Sequence, residues 1–223
     1  MIKKYIQRSG YSNCYAIGDI KMNIDEAIFT RRSVRQYIDK PVEDERIREI
    51  LKAGQWAPSA CNYQNWRFIV IKDYKRRDEL VKAGILHLTN VPVGIFVLYE
   101  NQRINKEYRD HIQSAAAAIQ NMLLKAHAIG FGACCVCHLP SKKKLRKLLS
   151  IPLNYDPIAL VTVGYYDKNP EVVKRKKGLN EIFCYDRFDF NKRGMSYTGI
   201  FLNRVYFKIY SWIKKIFSFV NKL

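Results

Sequence analysis

The sequence predicts an α+β domain of three layers, with a central mixed β-sheet flanked by helices. Short apolar runs rich in Val, Ile, Phe and Tyr, at 67–72, 91–99 and 158–166, read as buried strands. Between them stand segments whose apolar residues recur at i, i+3, i+4 and i+7, the spacing of a helix with one buried face. Strand and helix alternate along the chain, and a sheet that is apolar on both faces needs a helical layer on each. A chain of 223 residues, 48% hydrophobic and 26% charged, suits one such domain with appendages. The same balance excludes a disordered, collagen-like or disulfide-stapled chain.

Residues 1–22 form a preamble without clear periodicity. A short helix follows at 25–30, with Ile24, Ala27 and Ile28 on one face. A stronger helix at 43–55 carries Ile47, Ile50, Leu51 and Gly54 on its buried side. Pro41 precedes it, and Glu43, Asp44 and Glu45 suit its positive N-terminus. Next come the strand at 67–72, a charged helix at 74–83, and the strand at 91–99, whose Pro92 sits where a missing N–H is tolerated. The longest helix spans 107–129 and is stopped by Gly130 and Gly132. Its run Ala115 to Ala118 admits a closely packed neighbour, either a second subunit's helix or an element of the same chain. A short strand at 133–138, a basic helix capped by Ser141, and the strand at 158–166 complete the pattern. Composition changes near 191–194. The chain therefore divides into a preamble (1–22), a domain (23–190) and a helical tail (195–223).

There are 39 Lys and Arg against 20 Asp and Glu, a net charge of +19. Such a field attracts phosphate cofactors, nucleic acid and acidic lipid headgroups alike, so placement must choose among them. No apolar signal core follows Met1, and the expectation is a cytosolic chain with reduced thiols. No apolar run reaches the ~20 residues of a membrane span.

Two segments concentrate chemistry. In the first, Arg31, Arg32, Ser33 and Arg35 place three guanidiniums and a hydroxyl within five residues. In an extended backbone Arg31, Ser33 and Arg35 share a face, and guanidinium forks match phosphate oxygens. A solvated basic turn is the plainer alternative. The second segment, 56–66, sets two tryptophans around Pro58, Ser59, Cys61, Asn62 and Gln64. Its amides can donate to and accept from a heterocycle edge at once. A simple helix-to-strand loop is the alternative there.

RRSVRQY, then APSACNYQNW, then AAAAIQNMLLKAHAIGFG, then LVTVGYY, in this order and spacing, resembles the nitroreductase family of FMN-dependent oxidoreductases over roughly residues 24–185. The resemblance implies a homodimer of domain-swapped type with FMN in the interface. It implies that Arg31, Arg32, Ser33 and Arg35 hold the flavin phosphate and ribityl chain, and that Pro58, Ser59, Asn62 and Gln64 meet the flavin from the partner subunit. It also implies that the backbone around Cys135 to Cys137 lies near the isoalloxazine, and that Arg175 and Lys176 in the basic run 174–177 reach the phosphate. The implied reaction is ping-pong: hydride from NADH or NADPH, then reduction of a nitro, quinone or similar acceptor. The flavin carries that chemistry, so no catalytic side chain is demanded. A short span at 99–109, where many members carry an insertion, points to the smaller, open subtype.

Other patterns carry less. Cys134, Cys135, Cys137 and His138 depart from the family's usual Ser, Thr or Gly. Consecutive strand residues point to opposite faces, so no metal site is expected from them. Gly130-Phe131-Gly132 follows a helix and lacks the third glycine of a dinucleotide fingerprint. The histidines 87, 111, 127 and 138 are scattered and read as structural. In the tail, Arg204, Lys208, Ser211, Lys215, Ser218 and Lys222 form one polar stripe beside a wide apolar face. The segment from 200 to 223 has five basic residues and no acidic one. It suits an anionic membrane surface at the inner face of the membrane, or docking on the dimer partner; nucleic acid is disfavoured. Two rival functions remain at this level. One is an FMN-dependent dehydrogenase or dehalogenase acting on a biosynthetic or lipophilic substrate at a membrane. The other is a non-enzymatic basic module for membrane or nucleic acid, which leaves the ordered flavin segments unexplained.

Overall fold

The computed structural model describes residues 22–101, 105, 107–168, 170, 173–190, 201–202, 204–206 and 209–210. The preamble and most of the tail lie outside the described residues. The chain forms two compact units, 1–172 and 173–223. The division falls ahead of the basic run 174–177, whereas composition alone drew it near 191–194.

In the first unit, α1 spans Ile24–Thr30, where Asn23 caps the helix by accepting from the Glu26 N–H at 2.9 Å. Helix α2 spans Asp44–Gln55. Strand β1 (Trp66–Ile71) leads to α3 (Tyr74–Lys82), which is capped by Asp73. Strand β2 (Val93–Glu100) leads to the longest helix, α4 (Asp110–Ala128). Strand β3 (Gly132–Val136), α5 (Lys142–Leu149, capped by Ser141) and β4 (Tyr155–Gly164) follow.

The strands form one sheet in the order β1-β2-β4-β3, antiparallel throughout. The mixed character expected from alternating strands and helices is confined to one parallel bridge, Ser33 to Ala133. Strand β4 begins earlier than its apolar run suggested, because it passes through Pro157. The register slips there, Val97 facing Ala159 and Leu98 facing Pro157. A bulge is where a strand accommodates a residue without an N–H.

Alternation along β2 explains the three layers. Val93, Ile95, Val97 and Tyr99 point into a core shared with Ile47 and Ile50 of α2 and Ala115, Ala118 and Met122 of α4. Phe96 and Leu98 point into the other core, with Leu80 of α3 and Leu145 of α5. Both cores are closed to solvent, which is why β2 reads as an unbroken apolar run. Ala115 and Ala118 are thus spent on packing inside their own chain, the intramolecular alternative of the alanine run.

Asp156 anchors α5 to the sheet. It is paired with Lys142 and with Arg146, the latter at 2.5 Å, and accepts from Asn101 at 3.0 Å. Burial alone would raise its pKa. The hydrogen bonds from Lys142 and Asn101 and the positive charges of Lys142 and Arg146 outweigh that and hold the carboxyl below its ordinary range.

Candidate functional site: a basic segment locked to a sheet edge

Helix α1 ends at Arg31, and the chain turns extended against β3, the outermost strand. Ser33 bridges Ala133, and the Val34 N–H donates to the Ala133 carbonyl at 3.1 Å. Val34 is buried there. The approach is close because position 132 is glycine: a Cβ on Gly132 would stand 2.7 Å from Val34 Cγ1 and 2.9 Å from Tyr166 Cδ1. Gly130 has the separate task of ending α4. Its φ is +84°, and the Gly130 and Phe131 N–H groups donate back to His127 and Ala126, closing a Schellman turn.

Tyr37 pins the segment from the other side. Its Oη donates to the Val34 carbonyl at 2.7 Å and lies 2.7 Å from Thr162 Oγ1. Thr162 in turn donates to the Cys134 carbonyl at 3.3 Å. Burial pushes the Tyr37 hydroxyl above its ordinary range, so it remains a proton donor at any physiological pH.

Arg31, Arg32 and Ser33 are half-buried, while Arg35 is exposed. The Arg32 guanidinium donates to the carbonyls of Phe29 (2.9 Å) and Arg31 (2.8 Å), which holds it over the end of α1. Thr30 Oγ1 donates to the Glu26 carbonyl and meets His127 Nε2 of α4 at 2.7 Å. Burial, with the charges of Arg31 and Arg32, lowers the His127 pKa to about 4. At neutral pH the imidazole is therefore uncharged and adds no positive charge of its own beside Arg31 and Arg32. A helix end that carries two half-buried guanidiniums and a hydroxyl has the donor set for a phosphate group.

The second predicted segment follows α2. Trp56 is 78% exposed, and Pro58, Asn62 and Gln64 are exposed as well. A single 3₁₀ turn at Ala60–Asn62 is held by the Ala60 N–H donating to Ser114 Oγ of α4 at 3.0 Å. Ser59 Oγ accepts from the Gln64 N–H at 3.0 Å, and Asn62 Oδ1 accepts from Gln64 Nε2 at 2.7 Å. Cys61, Asn62 and Gln64 all have left-handed backbone, with φ of 48°, 53° and 51°. For residues with a Cβ this costs on the order of 1 kcal/mol or more each, and such strain gathers at ligand clamps. The loop presents its amides outward in this conformation.

The two segments do not meet within the chain. One is tied to His127 and the other to Ser114, thirteen residues apart on α4 and about 20 Å along its axis at helical rise. Cys135 does lie on the strand that receives Ser33, and Cys137 follows one residue past its end. Arg175 and Lys176 belong to the second unit and are exposed there. Among the described residues no group of three or more His, Cys, Asp or Glu side chains stands together as a metal site.

Gly132, Tyr37, Thr162, His127 and Ser114 position the site without having been singled out for it by sequence. Only Gly132 left a signal, a glycine two residues beyond the one that already ends the helix.

The chain belongs to the nitroreductase family: the family model matches residues 28–89 and 86–165. A protein of Methanothermobacter thermautotrophicus provisionally named NADH dehydrogenase/NAD(P)H nitroreductase is 34% identical over 180 residues, covering 77% of this chain and 88% of that one. A solved structure from Desulfovibrio desulfuricans, a provisionally named nitroreductase in complex with FMN, is 34% identical. It covers 76% of this chain and 99% of its own, at a TM-score of 0.64. The NADPH-using FMN reductase of Bacillus subtilis is 27% identical over 163 residues, 64% of this chain and 66% of that one.

Proposed function

We propose that the protein is an FMN-dependent oxidoreductase that accepts hydride from NADH or NADPH and passes electrons to a nitro compound, a quinone or a similar small acceptor. The observation that carries this reading is the lock between residues 31–34 and β3, which leaves Arg31 and Arg32 charged beside a neutral His127. Those guanidiniums and the Ser33 hydroxyl fit the FMN phosphate. Arg35, exposed at the end of the same segment, adds charge toward it. Bound FMN supplies the hydride-accepting centre. The chain's part is to bind, orient and balance charge: backbone donors along β3 would stabilise negative charge on a reduced flavin, and the amides of Asn62 and Gln64 would hold a ring edge. Arg175 and Lys176 are read, by the family resemblance alone, as further phosphate contacts.

The site is composite in this reading, with FMN in a homodimer interface. The support is the separation of about 20 Å along α4 between the anchors of the two segments, so that a loop from a second copy completes the site. Titrating FMN against the protein, with Arg31→Glu and Asn62→Ala for comparison, tests both points. Each single variant should weaken FMN binding, and mixing the two should restore one intact site per mixed dimer. Variants that bind FMN like the parent, or mixtures with no recovery, would refute the composite site.

A second reading concerns the tail. Residues 201–202, 204–206 and 209–210 are helical, and Phe201, Leu202, Tyr206, Ile209 and Tyr210 are exposed. Among the described residues no helix is long and apolar enough to cross a membrane. With its basic stripe and its lack of acidic residues, the tail suits an in-plane helix at an anionic membrane surface. Sedimentation with phosphatidylglycerol vesicles, but not with phosphatidylcholine vesicles, is the expected result. Failure to bind either, with FMN binding intact, assigns the tail to the partner subunit instead.

A further inference from the structure

Residues 134–137 put three thiols at the end of β3, and two of them face one another. Cys135 packs against the core shared with α4, and Cys137 follows two positions on, one residue past the end of β3. Their sulfurs stand 3.8 Å apart. Cys134 is buried and points the other way, its thiol directed to the Cys135 carbonyl at 3.6 Å. Cys137 is exposed and Cys135 half-buried.

We propose that Cys135 and Cys137 form a dithiol site for hydrogen peroxide, which closes to an intramolecular disulfide at the end of β3. A disulfide needs an S–S distance of about 2.05 Å and a Cα separation of roughly 4.4–6.8 Å. Two residues of extended strand span about 6.6 Å, at the upper edge of that range. Strand β3 ends at Val136, and the Leu139 N–H donates to the Cys137 carbonyl at 3.1 Å, so the chain turns at the second cysteine. The remaining approach falls on Cys137, whose exposed side chain can rotate.

The order of events follows from exposure. Peroxide meets Cys137 first: its sulfur takes one oxygen, and a water leaves with the other, giving a sulfenic acid. The Cys135 sulfur then bonds to the Cys137 sulfur, and the departing hydroxide takes the Cys135 proton as a second water. Two thiols lose two hydrogens and two electrons, and one peroxide becomes two waters. Burial, together with Cys137, pushes the Cys135 thiol up to about 12, which disfavours it as the first nucleophile and keeps on it the proton that the second step removes. The site does not depend on the oxidoreductase reading, because the oxidant is added from outside and no flavin takes part.

The test uses the full chain treated with hydrogen peroxide, alkylated and digested with trypsin, which releases residues 126–142 as one peptide. The expected product is that peptide lighter by two hydrogens. C134S should form it equally, and neither C135S nor C137S should form it. With peroxide and dimedone, C135S should be trapped as a dimedone adduct at Cys137. The proposal is overturned if this peptide stays reduced while the peptides of the exposed Cys61 and Cys184 oxidise. Loss of the product in C134S, or C135S without the dimedone adduct, overturns it equally.

Discussion

The lock between residues 31–34 and β3 depends on the missing side chain at Gly132, and replacing it by alanine isolates that dependence. The new Cβ would stand 2.7 and 2.8 Å from Val34 Cγ1 and Cβ and 2.9 Å from Tyr166 Cδ1. Carbon atoms pack at about 3.5–4.0 Å, so Val34 must retreat by roughly 1 Å. Val34 Cβ is fixed to the backbone, and the retreat therefore stretches the 3.1 Å bond from the Val34 N–H to Ala133 beyond hydrogen-bond length. Overpacking costs about 1–3 kcal/mol and the lost bond about 1 kcal/mol more. Gly130→Ala is the control. Nothing lies within 4 Å of its Cβ position, and only the left-handed φ of +84° resists substitution, at about 1–2 kcal/mol. Urea denaturation and FMN titration read the two together. G132A should lose stability and at least tenfold in FMN affinity, whereas G130A should lose stability alone. An unchanged G132A, or a G130A that loses FMN equally, refutes the reasoning.

Three further outcomes follow from the same contacts. Tyr37→Phe removes the hydroxyl between Val34 and Thr162 and should cost about 1–2 kcal/mol by chemical denaturation, with weaker FMN binding. His127 is held at about 4 against an ordinary value of 6.5, so only the unfolded chain takes up its proton between those values. Its contribution to stability is complete above pH 6.5 and is lost as pH falls to about 4; His127→Gln should flatten the stability profile in that window, and an unaltered slope would exclude this assignment. Asp156→Asn leaves Lys142 and Arg146 without their buried counter-charge and should cost about 3–5 kcal/mol before discounting for the half-exposed Lys142, seen as a lower urea midpoint.

The layers were legible because local signals agreed with burial. β2 reads as a continuous apolar run since each of its faces meets a different core, and α2 shows helical spacing since only one of its faces does. The early start of β4 was hidden by Pro157, a residue that argues against a strand unless a bulge receives it. Arg31, Arg32, Ser33, Ser59, Asn62 and Gln64 stood out by residue type and by resemblance. What holds them did not. Tyr37 and Thr162 are 125 residues apart, and Thr30 and His127 are 97 apart. Nothing in a tyrosine or a histidine announces so distant a partner. The left-handed loop was also silent, because it is built from Cys, Asn and Gln rather than from the glycine that usually marks such backbone.

The most direct test of the central claim is the visible spectrum of the purified protein, reconstituted with FMN and kept free of oxygen, before and after NADH or NADPH is added. The account predicts bound-flavin bands that bleach with one of the two nucleotides and return when a nitro compound or a quinone is supplied. A protein that stays colourless after reconstitution would contradict it, and so would flavin bands that neither nucleotide reduces.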